Sequence, residues 1–371
     1  MWVHIRRVAQ ETYPITGSAL AMTQKTPAYG ARRAKAPVEP MTIERRDLRP
    51  HDVEIEILYC GICHSDVHKV NDDWGNTQFP VVPGHEIVGR VASQGARASR
   101  FREGDLVGVG CIVDSCRTCP ECRAGHEMFC EKGVTFTFDS LEQDKKARTY
   151  GGYSANMVVD ERYMLRIPTA LDPARAAPLM CAGITTYSPL RQFGCKAGDK
   201  VGVVGLGGLG HMAVKFAASM GAEVAVLSTS RDKEKDADRL GANRFVATRE
   251  PGALDDLAKT FDLILDTVSS PHDLNQELAL LRNFGTLVLV GLPPGSTPLN
   301  PEMLLFGNRR LAGSNIGGIP ETQEMLDYCG EHEIVADVEV IPIQKVNDAY
   351  ASMQRGDVRY RFVIDCASLG A

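Results

Sequence analysis

The hydrophobic pattern changes character partway along the chain. Between about residues 29 and 166 apolar positions come in short runs, punctuated by Gly and Pro: Val53-Glu54-Ile55-Glu56-Ile57, Ile87-Val88-Gly89-Arg90-Val91 and Leu106-Val107-Gly108-Val109. Alternation with a period of two is the mark of strands with one face in a core, so this part predicts a small twisted barrel or sandwich whose loops carry the polar residues. From about Pro178 the runs are continuous and alternate with helical patterns. Lys200–Val204, Glu223–Leu227, Phe261–Asp266 and Gly285–Gly291 read as strands, His211–Met220 and Asp273–Asn283 as helices. That rhythm predicts a doubly wound parallel sheet with its ligand at the carboxyl ends of the strands. Between the two parts, Asp172-Pro173 supplies an N-cap and a first-turn proline. A helix over Glu321–Glu331 and a strand over Arg359–Asp365 return the tail to the first part. The expected class is α/β: a β-rich domain of residues 26–177 and 315–371, with a doubly wound domain of residues 178–314 inserted. Residues 1–25 lack periodicity and read as an N-terminal extension with no assigned fold.

Composition agrees and narrows the function. At 371 residues the chain exceeds what one core usually serves. A net charge of −6 without a long basic run argues against nucleic acid or an anionic membrane as partner. No long apolar stretch or secretory signal is evident, so a cytoplasmic protein is expected. Eleven cysteines, an odd number, then point to metal ligation and buried thiols rather than disulfides.

Candidate chemistry lies in four places. Cys60-Gly61-Ile62-Cys63-His64-Ser65-Asp66-Val67-His68 and Gly84-His85-Glu86 concentrate thiols, imidazoles and carboxylates, which suit a catalytic zinc centre or, equally, a redox Cys-x-x-Cys pair with surface histidines nearby. Cys116, Cys119, Cys122 and Cys130 have the spacing of a closed tetrahedral zinc shell, which implies structure rather than catalysis. A zinc ribbon for nucleic acid is the other reading, and the neighbouring Asp114, Glu121, Glu127 and Glu131 oppose it. Cys181 alone reads as a buried small hydrophobe unless a site at Cys63 and His85 lacks a third ligand. Gly205-Leu206-Gly207-Gly208-Leu209-Gly210 follows a strand and opens a helix, the context a dinucleotide pyrophosphate requires. The next strand ends at Ser228 rather than an acidic residue. Hydroxyls at Ser228, Thr229 and Ser230 with Arg231 and Lys233 favour the 2′-phosphate of NADP(H) over NAD, Asp232 tempering the positive field, while the bland alternative is a solvated loop. His4, His51, His126, His211, His272 and His332 show no partner pattern and read as surface or packing residues.

Together these motifs, with Cys181-Ala182-Gly183-Ile184-Thr185-Thr186-Tyr187, resemble the zinc-containing medium-chain alcohol dehydrogenases, and among them the cinnamyl-alcohol-dehydrogenase-like branch with its bacterial NADP-dependent aldehyde reductases. The resemblance covers about Tyr29 to Leu369 and implies a GroES-like catalytic domain around an inserted Rossmann domain. It implies two zinc ions per chain, one structural and one catalytic. The catalytic ion would be held by Cys63, His85 and Cys181, with Glu86 an occasional ligand and Asp66 supporting His85. Ser65 and His68 would relay a proton, His64 would face the cofactor pyrophosphate, and Thr185 would belong to the cofactor site with the glycine turn. Cys60 matches no ligand. A homodimer joined through the Rossmann sheet is a further implication. The implied activity is NADP-dependent interconversion of primary alcohols and aldehydes, aromatic or aliphatic. Asn315 stands where plant cinnamyl enzymes commonly carry a bulkier apolar side chain, so broad aldehyde reduction is expected rather than lignin-precursor specificity. The competing class is an NADP-binding redox sensor or structural protein without turnover.

Overall fold

The computed structural model describes residues 24–293 and 295–370. Most of the segment read as an extension lies outside them, while Gln24 and Lys25 already belong to the strand Gln24–Gly30, which pairs antiparallel with Glu39–Arg45.

Six parallel strands form one sheet, in the order Arg244–Ala247, Glu223–Ser228, Lys200–Val204, Phe261–Asp266, Leu281–Leu289 and Arg310–Gly313. Their inner residues, such as Val203, Val226, Ile264 and Val288, are buried, and helices supply the cover that an all-parallel sheet needs. Each such fully buried aliphatic side chain contributes about 1.5–3 kcal/mol of hydrophobic stabilisation. The first helical pattern forms Gly210–Ser219. The second is shorter than predicted, Leu274–Leu280, because Leu281 takes up extended backbone and pairs with Phe261, so that the next strand begins there.

The other large sheet runs Val338–Pro342, Arg361–Asp365, Asp52–Gly61, Ile87–Gln94, Leu106–Val109 and Leu165–Arg166, with Asn156–Asp160 also pairing with Asp52–Gly61. The tail thus returns as expected: Val363 pairs with Gly61 and Ile364 with Cys60. The tail strand starts at Arg361 rather than at Arg359; the amides of Tyr360 and Arg361 both turn to the Asp337 carbonyl. Along Asp52–Gly61 the buried Val53, Ile55 and Ile57 alternate with Glu54 and Glu56, as the sequence pattern requires. Between the sheets, Asp172 caps the short helix Pro173–Ala176, and Ala182–Gln192 packs against Gly210–Ser219 and Ile319–Glu331. No helix among the described residues is long and apolar enough to cross a membrane.

Candidate active site

The helix His64–Asn71 begins the site. Cys63 is its N-cap, and Asp66, three residues later, turns its Oδ2 back to the Cys63 amide at 2.8 Å. The fully buried Asp66 also holds a second segment, since its Oδ1 accepts from the Gly84 amide at 3.1 Å and lies 3.2 Å from Nδ1 of His85. One carboxylate therefore fixes both the first turn of the helix and the ring of a histidine 19 positions away. Tyr153 adds a hydroxyl donor to Oδ2 at 3.3 Å. Phe138 stacks on the His85 ring, with centroids 5.7 Å apart.

Cys181 arrives from the other part of the chain, immediately before Ala182–Gln192, and its sulfur lies 3.9 Å from that of Cys63. Donor atoms of Cys63, His85, Glu86 and Cys181 all lie within 4.8 Å of one another, and all four residues are buried. Tetrahedral zinc with Zn–S near 2.3 Å would place two thiolates about 3.8 Å apart. The separation and the donor set both fit such an ion. Cys60, on the preceding strand, is buried beside its own backbone and stands apart from this group.

The electrostatics are those of a buried thiolate site. The Cys63 thiol is held well below its ordinary value, chiefly by the hydrogen bond with Cys181, and Cys181 is raised by Cys111 and Cys63 in turn. Burial opposes protonation of His85, but the Asp66 charge, the Cys111 thiol and the hydrogen bonds with Asp66 and Cys63 together outweigh it and raise the imidazole. Glu86 is pushed up to about 8 by burial, with Arg361 acting in the opposite direction. Its Oε2 is buried against Gly61 without a hydrogen-bond partner.

The Ser65 hydroxyl is 3.7 Å from the Cys63 sulfur. Ser65 and His68 share a helix face, yet no hydrogen bond joins them, and Nδ1 of His68 turns to Asp73 at 2.8 Å. His64 is exposed near His68. Trp74 leans on the His68 ring, whereas Phe79 packs on the core.

In the four-cysteine lobe, the sulfurs of Cys116 and Cys122 are 3.9 Å apart and all four donor atoms lie within 4.8 Å of one another. Amides point at the sulfurs: Cys119 to Cys116, Cys122 to Cys119 and Cys116 to Cys130, at 3.3–3.5 Å. The Thr118 and Cys119 amides pull the Cys116 thiol down to about 5. Four thiol donors with no open side fit a closed metal shell.

The glycine turn lies at the carboxyl end of Lys200–Val204, where Gly205 adopts φ +85° and Gly210 opens the helix. Thr185 lies one turn beyond Cys181, its amide donating to the Cys181 carbonyl at 2.9 Å. Of the candidate 2′-phosphate residues, Ser228 is buried at the strand end and Thr229 and Ser230 are exposed. Lys233 donates to the Leu206 carbonyl at 3.0 Å, which brings its ammonium to the turn. Glu250 and Glu234 engage the exposed guanidinium of Arg231.

The sequence reading missed three features. Arg361, buried in the tail strand, pairs with Glu86, and its side chain also lies against Gly208 in the glycine turn. Arg359 pairs with Asp232 at 2.6 Å and Asp236 at 3.2 Å, offsetting the acid noted in the 2′-phosphate loop. An arginine heading an apolar strand was the one available signal for Arg361. The third is His272, read as a surface or packing residue, which sits between Asp266 and Glu277. Of the other histidines read that way, His211 is buried against Tyr360, His51, His126 and His332 reach the surface, and His4 lies outside the described residues.

Comparison with known proteins bears directly on this arrangement. Residues 49–169 match the family described as alcohol dehydrogenase GroES-like domain, and residues 208–331 match zinc-binding dehydrogenase. The chain is 53% identical over 349 residues to the aldehyde reductase YahK of Escherichia coli, covering 93% of this chain and 99% of that one. Among solved structures, a cinnamyl alcohol dehydrogenase of Sorghum bicolor superposes with a TM-score of 0.90 at 43% identity, covering 93% of this chain and 98% of that one. The Helicobacter pylori CAD complexed with NADP(H) gives 0.87 at 40% identity, covering 93% and 99%.

Proposed function

From the premise that this chain belongs to the zinc-containing medium-chain alcohol dehydrogenases, in their cinnamyl-alcohol-dehydrogenase-like branch, and is an oxidoreductase of alcohols and aldehydes, we propose that it interconverts a broad range of primary alcohols and aldehydes with NADP(H). The observation that carries this reading is the convergence of Cys63, His85 and Cys181 beside Glu86, from three separate stretches of chain. Those three residues would hold a zinc ion, which supplies Lewis acidity toward the substrate oxygen.

The protein's own groups do the rest. Asp66 keeps the Cys63 turn and the His85 ring in place. Ser65 is placed to exchange a proton at the substrate oxygen, and His68, on the same helix face and partly open to solvent, to pass it outward through an intervening hydroxyl or water. The N-terminal amides of Gly210–Ser219 receive the pyrophosphate, with Arg361 as the nearby cation and His64 on the solvent side. Ser228, Thr229, Ser230 and Lys233 receive the 2′-phosphate. The reaction balances as aldehyde, NADPH and a proton giving alcohol and NADP⁺. The four-cysteine lobe would hold a second, structural zinc.

We assign the catalytic domain to residues 26–177 and 315–371 and the cofactor domain to residues 178–314. The edge of the parallel sheet supports a homodimer: Arg310–Gly313 is its terminal strand, and Leu305 and Phe306 just before it are 72% and 86% exposed. A second copy pairing there would cover both the free edge and the apolar side chains. All eleven cysteines are free, which suits a reducing cytoplasm.

The test is a panel of aromatic and aliphatic aldehydes assayed with NADPH and NADH, alongside Cys63→Ala and Cys181→Ala. Each variant is expected to lose turnover and one zinc per chain relative to the parent while still binding NADPH. Full activity in either variant would remove the zinc assignment, and higher kcat/KM with NADH would overturn the cofactor assignment.

A further inference from the structure

Away from the thiol site, Asp266, His272 and Glu277 gather three donor atoms within 4.8 Å of one another at the carboxyl end of Phe261–Asp266. The imidazole is central. Its Nε2 lies 2.9 Å from Asp266 Oδ2 and 3.2 Å from Glu277 Oε1. Its Nδ1 lies 2.8 Å from the Ser270 carbonyl, which can only accept, so Nδ1 carries a proton and Nε2 is the nitrogen turned to the carboxylates. A backbone carbonyl behind a histidine, leaving the other nitrogen to face oxygen ligands, is the arrangement that orients imidazole for a metal. Asp266 is oriented as well, its Oδ1 accepting from the Val268 amide at 2.9 Å.

One observation sets this cluster apart from an ordinary charged network. Glu277 is 7% exposed, and its Oε2 has no hydrogen-bond partner although its carboxyl group faces the cluster. Its two oxygens thus have one imidazole nitrogen between them, and burial with the nearby Asp266 and Asp273 pushes the carboxyl up to about 9. The spacing also suits a cation. Tetrahedral zinc with nitrogen and oxygen ligands near 2.0–2.1 Å would separate its donors by about 3.3 Å, so the 2.9 and 3.2 Å from the imidazole to the two carboxylates, hydrogen-bond distances as they stand, need little change to admit an ion. His272, whose side chain is 19% exposed, provides the entry side.

We propose that Asp266, His272 and Glu277 form a third metal site, independent of the catalytic and four-cysteine groups, that binds a divalent first-row transition ion through two carboxylates and one imidazole. The imidazole selects this class over calcium or magnesium, and the lack of thiolate makes the site weaker and more exchangeable than the other two. Its place in the fold gives it a consequence. Thr267, next to Asp266, donates its hydroxyl to the Val204 carbonyl at 2.8 Å, behind the glycine turn. An ion here would tie Leu274–Leu280 to the strand end that supports that turn.

The experiment titrates the zinc-loaded holoenzyme with Co²⁺ and follows bound metal per chain, the visible spectrum and the melting temperature. One additional Co²⁺ per chain is expected, with weak d–d bands, no sulfur-to-cobalt charge-transfer absorption and a higher melting temperature. Glu277→Gln, which preserves size, and His272→Ala should each weaken that uptake by at least about tenfold, leaving the zinc content unchanged. Absence of a third ion in the parent protein at millimolar Co²⁺ overturns the site, as does uptake undiminished in Glu277→Gln or accompanied by thiolate charge transfer.

Discussion

Arg361 donates through Nη2 to Oε1 of Glu86, both side chains being almost wholly buried, and a Cβ placed on Gly208 would lie 2.7 Å from its Nη1. One guanidinium therefore joins the group proposed to hold the catalytic zinc to the glycine turn. Arg361→Ala would leave the buried Glu86 carboxyl without its partner, and because that carboxyl can take up a proton the loss expected is that of an unsatisfied buried polar group, about 1–3 kcal/mol. Denaturant melts should show that loss, and NADPH titration by fluorescence should show weakened binding in the folded fraction. Arg361→Lys keeps the charge but lacks the branched guanidinium, so an intermediate phenotype is expected. A variant melting within about 1 kcal/mol of the parent, the range of an exposed pair, would refute the coupling.

Arg359 masks Asp232 at the loop assigned to the 2′-phosphate. Arg359→Ala exposes that carboxylate beside the phosphate position. Because the pair is partly solvated, a loss of about 1 kcal/mol or less is expected, a severalfold fall in kcat/KM for NADPH. The value for NADH should stay nearly constant. Equal losses with both cofactors would mean that Arg359 positions the tail rather than the selecting loop.

The four-cysteine lobe lies apart from the reacting groups, so its loss should separate stability from chemistry. Cys119→Ser is expected to lower zinc content by one per chain and to destabilise by more than about 4 kcal/mol, the range associated with loss of a structural metal. The surviving folded fraction should keep its KM for aldehyde. An unchanged melting temperature with one zinc missing would deny the lobe its structural role.

Glu161 provides a pH-dependent contribution from outside either cysteine group. Burial would raise its carboxyl, but the amides of Arg100 and Ser99, at 2.8 and 2.7 Å, together with the His51 ring outweigh burial and hold it below the ordinary glutamate value. A depressed folded value gives stability that is fully present above the unfolded value, near 4.3, and is lost as pH falls through the folded one. Glu161→Gln should therefore be less stable than the parent at pH 7 by about 1–3 kcal/mol. The gap should close below about pH 4 as the parent's carboxyl takes up its proton. A gap constant from pH 7 to pH 3 would show that charge is not its source.

Phe306 tests the proposed dimer edge. Phe306→Asp should shift the protein toward monomer in sedimentation or light scattering, because a charge replaces a side chain that is 86% exposed in the single chain. An unchanged oligomeric state would place the contact elsewhere.

By itself the sequence determined the features whose causes are local. Cys116, Cys119, Cys122 and Cys130 are gathered by a short loop and a four-residue helix, so their spacing alone brought the thiols together. The glycine turn was legible because strand, turn and helix follow one another directly, and the N-cap at Asp172 because capping acts within one turn. Resemblance added Cys181 to Cys63 and His85, a grouping that spacing left open. Tertiary structure decided what depends on strand pairing between distant segments. Arg361 reaches Glu86 across 275 residues because the tail strand pairs with Asp52–Gly61. The same return brings Arg359 to Asp232 and leaves Arg231 to Glu250. Asp266, His272 and Glu277 are near in sequence, but only the turn after the strand and the short helix beyond it direct the three side chains inward. Hydrophobic periodicity specifies which face of an element is buried; it does not specify which polar group will be waiting there.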